Sequence, residues 1–221
     1  MDMRAYKFLD SHFGLTALRE KRLKQSHVEE LNDPFELLPC DLTDPAIRNT
    51  FLQTRENINK ARVVVCFSEH WCDPVIWAHY SDKHRGLCLG FEIPNPKGEV
   101  EDESGPVRYI EKPLHFPADF SELGDTERFE ITRNILFTKF INWKYEHEIR
   151  LWAELKQEEN GLHFRKFDDD LRIVEVIVGE KSKLNRSEIV EALGALATGV
   201  KIIKARAAYD KFEMVEDEGW N

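Results

Sequence analysis

Apolar residues in this chain come in short runs separated by polar turns. RVVVCFS over 62–68 is β-branched and apolar enough for a strand inside a sheet, and GLCLGFEI over 86–93 is a second such run, stopped by Pro94. AYKFL near the start and RIVEVIVG over 172–179 have the same character, and VKIIKARAAYDKFEMVED closes the chain as strand structure. YEHEIRLWAEL alternates strictly: Glu146, Glu148, Arg150 and Trp152 leave one face, and His147, Ile149, Leu151 and Ala153 leave the other. The pattern therefore predicts strands near 63–68, 87–93, 145–154 and 172–178.

Helical periods lie between these runs. FGLTALREKRLKQS follows the first strand, and a polar helix is predicted over 44–61. DPVIWAHYSDKH begins with Asp73 as N-cap and Pro74 at the first helical position. Asp125 or Thr126 caps a helix predicted over 127–143, with Phe129, Leu136, Phe140 and Trp143 on one face. Asn185 or Ser187 opens another over EIVEALGALA. Residues 94–124, which start PNPKGEVEDESGP, read as an exposed excursion. Strands follow one another without crossover helices often enough to favour α+β. The expectation is a single domain over 1–221, a mixed and largely antiparallel sheet with flanking helices.

The net charge of −10 argues against diffuse binding to nucleic acid. No run approaches the ~18 apolar residues that span a bilayer, and the start lacks an apolar signal segment. Four cysteines in 221 residues are too few for a disulfide scaffold, so a reduced, cytoplasmic protein without membrane attachment is expected. Neither a GxGxxG nor a P-loop motif occurs.

Three stretches concentrate chemistry. Residues 66–91 are dense in Cys, Trp, His and Tyr, but their spacing lacks the close ligand pairs of zinc sites, and no metal is expected. Cys66 and Cys88 should be buried, reduced and unligated. Trp77, Tyr80 and His84 are spaced to share a helix face. That face is either core or, with Tyr80 at its edge, the wall of a cleft. His79 lies off it and either bonds a neighbouring loop or reaches a substrate. Ser68, at the end of a strand, either faces a cleft or caps the next turn. In LNDPFE, Asn32, Asp33 and Glu36 form a turn that closes a cleft beside 68–84 or is an Asx-turn alone. Glu146 and Glu148, with Arg150, are an acid–base pair or an ordinary surface ion pair.

Taken together, NDPFE, CFS…WxxYxxxHxGxCLxF and WxxExExR resemble a bacterial domain-of-unknown-function family, with matching residues over most of the chain. A more distant resemblance is to the ADP-ribosyltransferase fold. It implies Tyr6 and Lys7 on a first strand, Cys66-Phe67-Ser68 on a second with a helix 74–84 after it, and Glu146-His147-Glu148 on a third. The resemblance implies NAD as substrate, with Glu148 catalytic at the nicotinamide ribose and Glu146 orienting the acceptor. Tyr6, Lys7, Ser68, Trp77 and Tyr80 would line the NAD site. The chain departs from that pattern in having no clear His or Arg on the first strand, where Tyr6 and Lys7 stand with Arg4 just before them.

The resulting expectation is an NAD-consuming transferase or glycohydrolase, with phage defence suggested by the family resemblance and the acceptor left open. One alternative is a metal-dependent nuclease or phosphohydrolase with Asp33, Glu36, Glu146 and Glu148 as ligands and Lys144 nearby. Another is a binding or sensor domain without catalysis.

Overall fold

The computed structural model describes residues 3–93, 104–117, 120–155 and 158–220. In chain order its elements are β1 (Met3–Leu9), α1 (Ser11–Glu20), β2 (Arg22–Gln25), α2 (Pro45–Ala61), β3 (Arg62–Ser68), α3 (Pro74–Tyr80), β4 (Leu87–Ile93), β5 (Ser104–Pro106), β6 (Arg108–Ile110), α4 (Asp125–Leu136), β7 (Thr138–Phe140), β8 (Glu148–Glu154), β9 (His163–Lys166), β10 (Arg172–Val178), α5 (Arg186–Leu193), β11 (Lys201–Ala207) and β12 (Met214–Glu216). The class is α+β. Most pairings are antiparallel; β10 with β11 and β6 with β7 run parallel. No helix among the described residues is long and apolar enough to cross a membrane.

The chain gathers into two compact units. The first is made of Met1–Lys24, Cys66–Lys97 and Phe164–Asn221, the second of Gln25–Val65 and Gly98–His163. In the first, the strand order is β12-β11-β10-β4-β1. β4 is buried on both faces, with Leu87, Cys88, Leu89 and Phe91 all inaccessible, which is why its sequence reads as a continuous apolar run. β1 pairs with β4 over its whole length, and on its other side Tyr6 sits opposite Ser68 of β3. Gly90 lies across from Tyr6, and a Cβ there would stand 3.1 Å from the Tyr6 ring, so the glycine makes room for the phenol. Asp10 caps α1, whose Ala17 and Leu18 are buried, and α1 packs against α5. Asp73 caps α3 through the Val75 N–H. Trp77 on that helix meets Phe8 of β1 edge to face at 5.1 Å.

In the second unit, Asp44 caps α2, and Phe51, its buried residue, meets Phe116 at 4.8 Å. β8 lies between β3 and β5 in the strand order. β6 and β7 form a separate two-stranded ribbon with Arg108, Tyr109 and Ile110 opposite Thr138, Lys139 and Phe140. Of the 94–124 stretch, residues 94–103, 118 and 119 lie outside the described residues. Ser104 to Ile110 supply β5 and β6, with Ser104, Gly105 and Val107 buried.

Three expected elements are corrected. The helix expected over 127–143 ends at Leu136, and Phe140 and Trp143 are not on it. Phe140 ends β7, and Trp143 lies in a 3₁₀ turn over Ile141–Glu146. The helical spacing of these residues continues across a strand and a tight turn. The strand expected from 145 begins at Glu148, because His147 takes a left-handed conformation (φ 42°) that breaks the extended chain. Likewise α3 stops at Tyr80, and Asp82, Lys83 and His84 all have positive φ, so His84 is off the helix.

Gly86 of the H-x-G-x-C stretch has a specific steric reason. A Cβ there would lie 2.0 Å from the Leu9 carbonyl oxygen and 2.8 Å from Asp10 Cα, both backbone atoms that cannot swing away. Gly86→Ala should cost more than about 2 kcal/mol, whereas Gly199→Ala, with nothing within 4 Å of the added carbon, should leave stability within about 0.5 kcal/mol. Chemical denaturation of the two variants checks this; equal effects would mean that the packing around Gly86 is wrong.

Candidate functional site

The second unit contains a buried cluster of charge built from three separate segments. The NDPFE turn supplies Glu36. The Asp33 carboxylate accepts the Phe35 N–H at 2.9 Å, and the Asp33 carbonyl accepts the Glu36 N–H at 3.1 Å. That is an Asx-turn, and it fixes where Glu36 leaves the chain. Leu37 follows with φ 59° and is itself buried, a conformation a leucine holds only under tertiary constraint. β7 supplies Lys139. The third segment supplies Glu146 at the end of its 3₁₀ turn, then Glu148 and Arg150 on β8, with the left-handed His147 between the acids.

Their side chains meet in one place. Lys139 Nζ donates to Glu146 Oε2 at 2.7 Å and to Glu148 Oε2 at 3.2 Å, and lies 3.6 Å from Glu36 Oε1. It also stands 4.7 Å from the centroid of the Trp143 ring. Arg150 donates from Nε to Glu148 Oε1 at 2.9 Å, from Nη2 to Glu36 Oε1 at 2.8 Å and from Nη1 to the Leu136 carbonyl at 2.7 Å. Tyr109 Oη accepts the Glu148 backbone N–H at 2.8 Å. The Arg150 side chain is 0% exposed and that of Glu148 3%, so this is not a solvated ion pair. At such burial each charge needs its partners.

Three carboxylates face two cations, an excess of one negative charge when all are ionised. Glu36 accommodates it. Burial pushes its carboxyl above the ordinary 4.5, against the pull of Arg150 and Lys139 and with a further push from Glu148. Its Oε2 is buried without a hydrogen-bond partner. Burial pulls Lys139 down, but Glu148, Glu146 and Glu36 together outweigh it and hold the ammonium above its usual range. The Tyr109 phenol is pushed up, first by burial and then by the nearby glutamates, and stays protonated.

A divalent ion held by Asp33, Glu36, Glu146 and Glu148 does not fit this arrangement. The Lys139 ammonium occupies the point on which the three glutamates converge, and the Asp33 carboxylate is turned to the Phe35 N–H. Lys144 is exposed, and Asn32 is exposed on the turn.

The other sequence-derived candidates lie in the first unit. Tyr6 and Ser68 are direct cross-strand partners. Tyr6 is pushed up to about 12, by burial and then by Glu175. Lys7 Nζ donates to the Cys66 carbonyl at 3.0 Å, and Ser68 Oγ accepts the His70 N–H at 3.3 Å. Trp77 is fully buried, its indole N–H on the Trp71 carbonyl at 2.6 Å, so it is core. Tyr80 is half-buried and His79 exposed, their rings 6.2 Å apart. His84 stacks on Trp77 at 6.3 Å from beyond the helix. All four cysteines are free. Cys88 is buried as expected, while Cys66 is only half-buried.

Lys139 and Tyr109 were missed in the sequence. Each stands in a three-residue strand, too short to show a period, and neither stands in a motif.

Residues 76–151, about a third of the chain, match the model of a family described as a protein of unknown function, DUF2971. The matched stretch includes Lys139, Glu146, Glu148 and Arg150 and leaves out Glu36. A search of curated proteins and a search of solved structures each gave no match.

Two outcomes follow from the cluster. Arg150→Ala leaves Glu36 and Glu148 buried without their shared cation and should cost about 3–5 kcal/mol in chemical denaturation; a loss under about 1 kcal/mol would show that the cluster is not closed. The second concerns pH. Folding raises the Glu36 pKa, so its contribution to stability is fully present below the ordinary 4.5 and is lost as pH rises through the folded value. Glu36→Gln cannot ionise and escapes that loss. Its stability relative to the wild type should therefore improve as pH rises from 4.5 towards neutral. A constant difference across that window would mean that Glu36 ionises as freely inside as in the unfolded chain.

Proposed function

We propose that the protein binds NAD and cleaves its nicotinamide–ribose bond, in an architecture similar to that of the ADP-ribosyltransferases. The observation that carries this reading is the convergence of Glu146 and Glu148 at the head of β8, in a cluster where carboxylates outnumber cations. Two carboxylates held together in a water-poor centre suit a reaction whose transition state gains positive charge. Support comes also from strand pairing. The resemblance calls on β1, β3 and β8; Tyr6 of β1 pairs with Ser68 of β3 in the first unit, and in the second β8 neighbours β3 in the strand order.

In this reading the glycosidic C–N bond breaks and its electron pair leaves with neutral nicotinamide. The ribosyl cation that develops is stabilised by Glu148, which exchanges its contact with Lys139 for the ribose hydroxyl. Glu146 orients the incoming nucleophile, water or an acceptor hydroxyl, whose proton is released. Arg150 keeps Glu148 aimed, and Lys139 returns to close the cluster.

A second reading is favoured by one observation. Both Glu148 oxygens are already held by Arg150 and Lys139. A binding or sensor domain without turnover would need the cluster only as a fastening between NDPFE and β8.

Nicotinamide release from NAD by purified protein separates the two. Glu148→Gln keeps the shape and should lower release by roughly 10²-fold or more, with the melting transition still cooperative. Equal release by wild type and variant removes Glu148 from the chemistry. No release by the wild type, together with no NAD binding at millimolar concentration, leaves the binding-domain reading.

A further inference from the structure

The ribbon β6–β7 has two faces, and only one belongs to the charge cluster. Side chains alternate along a strand, and residues opposite one another in a pair share a face. Tyr109 and Lys139 are opposite one another and both reach the glutamates. The other face carries Ile110 and Phe140, also a pair, and Thr138.

That second face, with Lys139 beside it, lines a pocket of about 260 Å³. Its apolar walls are Phe35, Leu38, Pro39, Ile110, Pro113 and Phe140. Phe35 is 65% exposed and Phe140 40%, so two aromatic rings stand in water beside it. Glu111, Lys112 and Lys139 also line it; the Lys139 ammonium is taken up by Glu146 and Glu148, and the remaining two carry one charge of each sign, which gives no net preference for a charged ligand. Thr138 is 2% exposed, and its hydroxyl is buried without a hydrogen-bond partner in the structure. Such a group is normally satisfied, and an orphan asks for something to pair with it. The volume falls just below the ~300 Å³ at which drug-sized sites begin.

We infer that this pocket is a binding site for a compact, uncharged ring compound carrying one hydrogen-bonding group. The ring packs on Phe35, Ile110 and Phe140, and the polar group meets the Thr138 hydroxyl. The inference does not rest on NAD cleavage, since none of Glu36, Glu146 and Glu148 lines the pocket. Because Lys139 is the neighbour of Thr138 on β7, a ligand there abuts the strand that carries the cluster's ammonium.

Phenol is a suitable probe, titrated into labelled protein and followed by amide chemical shifts. The expected result is saturable shifts confined to residues 35–39, 110–113 and 138–140. Thr138→Val, nearly isosteric, should weaken phenol by about tenfold, the effect of losing one hydrogen bond. Ile110→Trp, which fills the pocket from its partly exposed wall, should abolish the shifts, and it serves as the test if the buried Thr138 variant does not fold. Absent or non-saturating shifts up to millimolar phenol, or saturable shifts elsewhere, would overturn the site. Equal affinity in wild type and Thr138→Val would overturn the role of the hydroxyl.

Discussion

A guanidinium taken wholly out of water depends on protein acceptors for its donors, and Arg150 donates to two glutamates and a main-chain carbonyl. The partners come from distant parts of the chain: Glu36 from the NDPFE turn, Leu136 from the end of α4, and Glu148 from the same strand. The fork is planar and bidentate, so it fixes direction as well as charge, which a lysine in its place would not do. The second unit is organised around this requirement. α4 has to stop at Leu136 to offer its carbonyl, and Leu37 is held in a left-handed conformation immediately after the acid that Arg150 binds.

Buried ion clusters are poor sources of stability, since the cost of desolvation rivals the attraction regained. Left-handed non-glycine residues add about 1–3 kcal/mol each, and here Leu37 and His147 flank the acids. A well-packed apolar core would serve stability better. Cost concentrated at one place, with an acid whose pKa is raised and one oxygen left orphaned, is the pattern expected where a fold keeps charge for use.

Most of the strand framework was legible because it rests on local signals. β3, β4 and β10 are apolar runs of strand length, and the caps Asp44, Asp73 and Asn185 stand where their helices begin. Glu36, Glu148 and Arg150 were legible as candidates but not as neighbours. Their meeting depends on contacts across 114 residues of chain, which no window on the sequence contains. The alternation around Glu148 also suggested a solvated face, because charged residues on one side of a strand ordinarily face water. Trp152, 1% exposed on that same side, was the sign that the face is covered. The ending of the helix at Leu136 was hidden because Phe140 and Trp143 continue its period by coincidence, although they lie in a strand and a 3₁₀ turn.

The claim that this cluster handles NAD, and is not merely a fastening, is tested most directly by carboxyl-carbon NMR of protein with ¹³C-labelled glutamate side chains, titrated with NAD. The account predicts that the resonances of Glu148 and Glu146, assigned by Glu→Gln variants, shift saturably and that exposed glutamates such as Glu56 do not. Saturable NAD binding that leaves both resonances in place, or no binding at millimolar NAD, would contradict it.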